Sequence, residues 1–211
     1  MVSILLAFSI DTWWAARGER AREAAVIAGL AGDLELHRSV LLANLAFTEN
    51  ILVAADSLAI LSRPDAGTSN TNLTAVLARV LQIAPIGLQG GTLQTLVDAE
   101  DLILIRSPKF RLTLSNWLPK AENIEPVNSF VMHEAQLFID YLTPRFPFRD
   151  LHIANGLRTG PPSGFEPDGG AVLQDLRFAN HVSQQWFSAK GQLALGRDLI
   201  ASADRVLVAL P

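Results

Sequence analysis

The chain has 211 residues, room for one domain with a proper core or for one domain plus an anchor. Hydrophobic residues make up 49% and charged ones 18%, with a mean hydropathy of +0.26, so either the core is large or part of the chain sits in lipid. The net charge of -4 gives no general pull toward nucleic acid, and the absence of cysteine excludes disulfides, thiolate zinc sites, iron–sulfur clusters and cysteine nucleophiles.

Residues 1–16 (MVSILLAFSIDTWWAA) carry a single charge, Asp11, and are followed at once by Arg17, Glu19, Arg20, Arg22 and Glu23. Trp13 and Trp14 stand at the boundary, where amphipathic indoles settle at a membrane surface. The segment reads as an anchor helix with Trp13, Trp14, Arg17, Arg20 and Arg22 as its membrane-interface residues. Sixteen helical residues reach roughly 24 Å, against about 30 Å of hydrocarbon in a bilayer. The expectation is therefore the C-terminal part of a transmembrane helix, with Met1 an internal or misassigned start. A buried N-terminal helix of a soluble protein is the competing reading. A secretory signal fits poorly, because no basic residue precedes the apolar run and no clear small-x-small cleavage site follows it. Asp11 falls near the interface end, where an acid is far less costly than at the bilayer centre. Ser3 and Ala7 form a small-xxx-small pair of the kind that lets two helices approach.

From Arg17 to Arg63 there is no proline, and an apolar seam of Leu36, Val40, Ala43, Phe47, Ile51, Ala54, Leu58 and Leu61 repeats with the helical period. Gly29 and Gly32 weaken the helix near its start, and Pro64 ends it before a polar loop over 65–72. A short helix is predicted from Leu73 to Ile83 with Asn72 as its N-cap, broken by Pro85, Gly87, Gly90 and Gly91. Thr92 starts another short helix through Glu100. The four apolar residues Leu102 to Ile105 have no partner strand and read as a buried connection.

Ser107-Pro108 is a strong helix start, a capping hydroxyl followed by proline at the first helical position. That helix is expected to reach Trp117, after which Pro119 and Pro126 either kink one long helix or split it in two. Its second half, Val127 to Leu142, spaces Phe130, Glu134, Leu137, Phe138, Tyr141 and Leu142 on one side. Pro144 and Pro147 end it. Residues 155–170 (NGLRTGPPSGFEPDGG) form a Gly/Pro-rich loop, expected to be the most mobile part of the domain. A last helix is predicted from Ala171 to Leu210, with a seam of Val172, Leu176, Ala179, Val182, Trp186, Ala189, Leu193, Gly196, Ile200, Ala203, Leu207 and Leu210 near a heptad period. Two long helices at the two ends, paired antiparallel and covered by shorter ones, make an all-α helical bundle over 17–211, preceded by the partial transmembrane helix of 1–16.

The sequence carries little recognisable chemistry. None of His37, His133, His152 and His181 has a second histidine four residues on, and no H-E-x-x-H occurs. Asp98, Glu100 and Asp101 form a small acidic cluster without the ligand spacing of a calcium loop. Gly87 to Thr92 lacks the Gly-Lys-Ser/Thr end of a phosphate loop, and no G-x-S-x-G is present. Arg106, Lys109 and Arg111, with Phe110 between them, read as a solvated basic face. No metal, cofactor or nucleic acid is expected, and no enzyme activity. Trp117, Trp186, Phe130 and Phe138 are candidates to line an apolar ligand pocket, though each is more simply core.

The stretches SILLAFSIDTWWAARGERARE, LAGDLELHRS and TLQTLVDAEDLILIRSPKFRLTLSNW resemble an uncharacterised family of bacterial single-pass membrane-anchored proteins with a helical domain. Its most specific part falls here on Thr92 to Asp101, Leu102 to Ile105 and the helix from Ser107. The resemblance carries no site residues. It implies a single-pass inner-membrane protein and no established activity; with no catalytic motif in the chain, the leading expectation is a sensory, scaffold or partner-binding role, with the bilayer and a second protein or a further copy of itself as partners. A small-ligand binding domain is the alternative. Arg17, Arg20 and Arg22 argue for a cytoplasmic domain by the positive-inside rule; basic residues ahead of the apolar run, as in the family, reverse this and favour the periplasmic side.

Overall fold

The computed structural model describes residues 2–63, 70–88 and 101–211, with side chains throughout except at 2–9, 70–72, 101 and 103. Among the described residues all regular structure is helical. It comprises α1 (Val2–Leu61), α2 (Asn70–Val80), a 3-10 turn (Asp101–Leu104), α3 (Pro108–Glu122), α4 (Ile124–Leu142), α5 (Phe148–Ala154), α6 (Gly169–Leu173) and α7 (Leu176–Val208). The all-α bundle read from periodicity is the fold. The helix expected over Thr92–Glu100 lies outside the described residues. The chain forms two compact units, one of 1–40, 88–121 and 199–211, the other of 41–87 and 122–198, so α1 and α7 each contribute to both.

In the first unit Leu30 and Leu34 of α1 pack with Phe110, Leu114 and Trp117 of α3, with Ala203 and Val206 of α7, and with Ile105 from the connection before α3. His37 is buried here and stacks on Trp117, ring centroids 5.7 Å apart and nearly parallel. Arg38 donates to Asp204 at 2.9 Å beside this core. The apolar run Leu102–Ile105 falls on the 3-10 turn Asp101–Leu104 and the residue after it, with Ile105 buried and Leu104 exposed, a connection rather than a strand. Ser107 accepts the Phe110 N–H at 3.3 Å and Pro108 opens α3, as the local sequence dictates.

In the second unit the core gathers Ala54, Ala55 and Leu58 of α1, Leu73 and Leu77 of α2, Phe138 and Leu142 of α4, Leu151 of α5, and Phe178 and Val182 of α7. Here α1 and α7 run antiparallel, Glu49 meeting Arg197 at 3.0 Å. A Cβ on Gly196 would come within 2.8 Å of the Leu45 side chain, so glycine permits this approach.

The seams sit about one residue away from their predicted positions. On α1 the buried positions are Leu30, Leu34, His37, Leu41, Thr48, Ile51, Ala54, Ala55 and Leu58, while Leu36, Val40, Ala43 and Phe47 are exposed. From Ile51 onward the expected seam holds; before it, the true one is rotated by one residue, about 100°. Polar residues at seam positions hid it. On α7 Val182, Ala189, Leu193, Gly196 and Ala203 are buried as expected, but Gln185, Leu199 and Val206 take the places assigned to Trp186, Ile200 and Leu207, which are half-buried. Leu176 is exposed, because the last helix is broken: α6 ends at Leu173, and Asp175 caps α7 by accepting the Arg177 N–H at 2.8 Å. On α4 Val131 and Ala135 are buried, while Phe130 and Leu137 face out.

Polar side chains on three of the helices hold the connection after α2. Residues 82–88 follow α2 without regular structure, so their backbone groups need partners from elsewhere. Asn128 serves the buried Ile86 twice, accepting its N–H at 3.0 Å and donating to its C=O at 2.8 Å. Asn44 donates to the Ala84 carbonyl at 2.8 Å and Gln192 to the same oxygen at 3.1 Å. Three side-chain amides from α1, α4 and α7 thus clamp one extended strap.

Pro119 lies in the last turn of α3 and Pro126 in the first turn of α4, and the chain divides between them at Asn123. Proline in a first turn lacks only an N–H that has no intrahelical partner. The segment after Phe146 forms the unforeseen α5, which ends in a glycine cap. Gly156 has φ 71°, its N–H meets the Ile153 carbonyl at 3.0 Å, and the Leu157 N–H meets that of His152 at 2.9 Å. In the Gly/Pro loop Asp150 accepts both the N–H and the hydroxyl of Ser163, at 2.6 and 2.7 Å.

Candidate functional site

The residues with the clearest functional signature open α1. Ile10 to Ala15 are all exposed, with Trp13 at 55% and Trp14 at 62%. Their rings meet edge to face, 5.2 Å between centroids, and the Arg17 guanidinium lies 5.5 Å over Trp13. Helical geometry sets Arg17 and Arg20 on one stripe with Trp13, while Trp14 and Arg22 stand off that stripe, about 80° apart from each other. Large exposed aromatics are unfavourable in water, and this order of apolar run, indole and guanidinium suits a surface that passes from hydrocarbon to headgroups. The side chains of Leu5, Leu6 and Phe8, in the apolar run read as the anchor, lie outside the described residues.

The acids among these arginines are engaged. Arg106 donates to Glu19 at 2.9 Å through its guanidinium and to Glu23 at 2.6 Å through its backbone N–H. Arg111 donates to the Ile105 carbonyl at 2.7 Å. The basic trio read around Phe110 is therefore not a patch: two of its three members hold the fold, and Phe110 is fully buried. Among the described residues Arg17, Arg20 and Arg22 form no ion pair, and Arg17 lies over Trp13.

Among the described residues one helix, α1, is long and apolar enough to cross a membrane. Its residues 17–38 carry eight charged side chains, whereas 39–61 carry only Glu49 and Asp56. Yet that charge-poor stretch supplies Leu41, Thr48, Ile51, Ala54, Ala55 and Leu58 as buried residues of the second unit. Protein covers one side of that stretch, while Leu42, Phe47, Val53 and Ile60 remain exposed on it.

A second cluster lies where α4 ends and α7 begins. The Tyr141 hydroxyl donates to Asp175 at 2.8 Å, and the Arg145 guanidinium lies 4.2 Å over the Tyr141 ring. His181 stacks on Phe138, centroids 5.3 Å apart, with Tyr141 at 5.2 Å. Burial and the bond to Asp175 push the Tyr141 hydroxyl up to about 12. The same bond holds the Asp175 carboxyl below its ordinary value, and burial holds His181 below 6.5 against the charges of Glu134 and Asp175. The phenol and the imidazole are thus fixed in their neutral forms near pH 7, an arrangement that stiffens a helix junction. Nothing in the sequence pointed to it, since its members are spread over 34 residues from Tyr141 to Asp175 and further to His181.

The other candidates do not converge. Asp98 and Glu100 lie outside the described residues, and among those described no group of three or more His, Asp or Glu is placed to hold a metal ion. Trp117 and Phe138 are buried core, Phe130 is exposed and Trp186 lines a shallow cleft with Ala55 and Val182, so the four aromatics do not frame one pocket. Comparison with protein-family models, with curated proteins and with solved structures finds no match.

Proposed function

We propose that this is a membrane-anchored, non-catalytic helical protein, held in a bacterial inner membrane by a single helix and presenting its helical units to a protein partner. The observation that carries the reading is the exposed Trp13–Trp14 pair with Arg17 over Trp13 and Arg20 and Arg22 beyond. Support comes also from the pairing of Glu19 and Glu23 with Arg106, which leaves the arginines available to lipid phosphates. The periplasmic placement rests on the family resemblance alone.

The test is fractionation of cells expressing the full chain, with and without Trp13→Ala and Trp14→Ala together. The parent is expected in the membrane pellet after an alkaline carbonate wash, and the double variant is expected to be partly released. A parent recovered wholly in the soluble fraction overturns the anchor. C-terminal fusions to one reporter active only in the cytoplasm and another active only outside it decide the side: activity of the second alone is expected, and activity of the first alone reverses the topology.

A further inference from the structure

We infer that the second unit binds a small organic carboxylate in the cleft between α1, the end of α2 and the end of α5. The cleft has a volume of about 320 Å³, and Asn50, Arg79, Gln82 and Asn155 surround an apolar floor that includes Val53 and Val76. Among the described residues no carboxylate lines it, although the chain as a whole is acidic. Among the described residues Arg79 has no ion-pair partner, and neither Asn50 nor Gln82 has a side-chain hydrogen bond. The donors facing the cleft are thus uncommitted: a guanidinium with five N–H groups and two amides.

Several carbonyls of the two helix ends are already engaged. At the end of α2 the Leu77 carbonyl accepts the Leu81 N–H, that of Ala78 accepts from the Asn155 amide, and that of Arg79 accepts the Gln82 N–H. At the end of α5 the carbonyls of Leu151, His152 and Ile153 are likewise taken. What remains is a cation, amide donors and a greasy floor, with Val53 64% exposed in it. Guanidinium and amides suit a carboxylate head, which accepts bidentate bonds from arginine, and the valines suit a short apolar body. Bare inorganic phosphate would satisfy the cation and leave the floor wet. The proposal is independent of the anchor, because no residue of the cleft precedes Asn50.

The probes are butyrate, inorganic phosphate and n-butanol, titrated by ligand-observed NMR into the full-length protein in detergent. Butyrate is expected to bind saturably, with n-butanol and phosphate each at least tenfold weaker. Arg79→Gln is expected to weaken butyrate at least tenfold, and Asn50→Asp, which sets a negative charge beside the head group, by a comparable factor. Both side chains are exposed, so circular dichroism should show both variants folded. Arg197→Gln, outside the cleft, should bind as the parent does. Absence of saturable butyrate binding, equal binding by folded Arg79→Gln, or phosphate binding more tightly than butyrate overturns the proposal.

Discussion

Tyr141, Asp175 and His181 show how three side chains from two helices make a junction stiff over a defined pH range. The folded His181 takes up a proton less readily than the 6.5 of an ordinary imidazole, so the unfolded chain binds that proton first as the pH falls. Its contribution is complete above about pH 6.5 and is lost as the pH drops from there through the folded value. The expected result for His181→Phe, which keeps a flat ring against Phe138, is a shallower fall in urea midpoint between neutral and mildly acid pH; an unchanged fall would place the acid sensitivity elsewhere. Tyr141 works at the other end. Its phenol form is favoured in the fold, so its contribution is present below pH 10.0 and is lost as the pH rises through about 12. Tyr141→Phe removes that alkaline limb and lets the Asp175 carboxyl rise toward its ordinary value, which NMR titration of the Asp175 side chain reads directly. Asp175 contributes above 3.8 and loses that contribution as the pH falls below it, so acid and alkaline limbs together bound a plateau around neutrality.

At the scale of elements, the strap of residues 82–88 governs what the helices have to bury. Asn128→Ala leaves the buried N–H and C=O of Ile86 without their partner and is expected to destabilise the protein by about 1–3 kcal/mol in chemical denaturation. Asn44→Ala should be milder, because Gln192 still serves the Ala84 carbonyl. Equal losses would mean that the strap is not held as described. Trp186, half-buried with Lys190 5.3 Å from its ring, should cost about 1–3 kcal/mol when truncated to alanine, less than a fully buried tryptophan. The same clamp explains what the sequence left illegible. Helix content, the Ser107-Pro108 start and the seam from Ile51 onward follow from local propensity and period. The first half of the α1 seam does not, because His37, Asn44 and Thr48 stand at inward positions and look like surface residues until the strap and Trp117 are seen. An exposed row of Leu36, Val40 and Phe47 beside them drew the apolar pattern one residue aside. The break before Leu176 was hidden for a similar reason: its cap is Asp175 alone, with no glycine or proline at the boundary.

For the whole molecule the claim is that α1 meets the bilayer at its start and keeps its charge-poor stretch, 39–61, with the second unit. The proposed interface residues are read from chemical order along the chain, not from tertiary contact. The pairing of Glu19 and Glu23 with Arg106 could not be read that way, since it joins residues more than eighty positions apart. Because the chain has no cysteine, single cysteines report position without background. The most direct measurement places an environment-sensitive fluorophore at Ile10→Cys in one sample and Ala43→Cys in another, both exposed sites on α1, and reconstitutes the full chain in lipid vesicles. The account predicts blue-shifted emission, quenched by brominated lipid, at position 10 and water-like, unquenched emission at position 43. Quenching at position 43 with water-like emission at position 10 would put the wrong part of α1 in the membrane and contradict it.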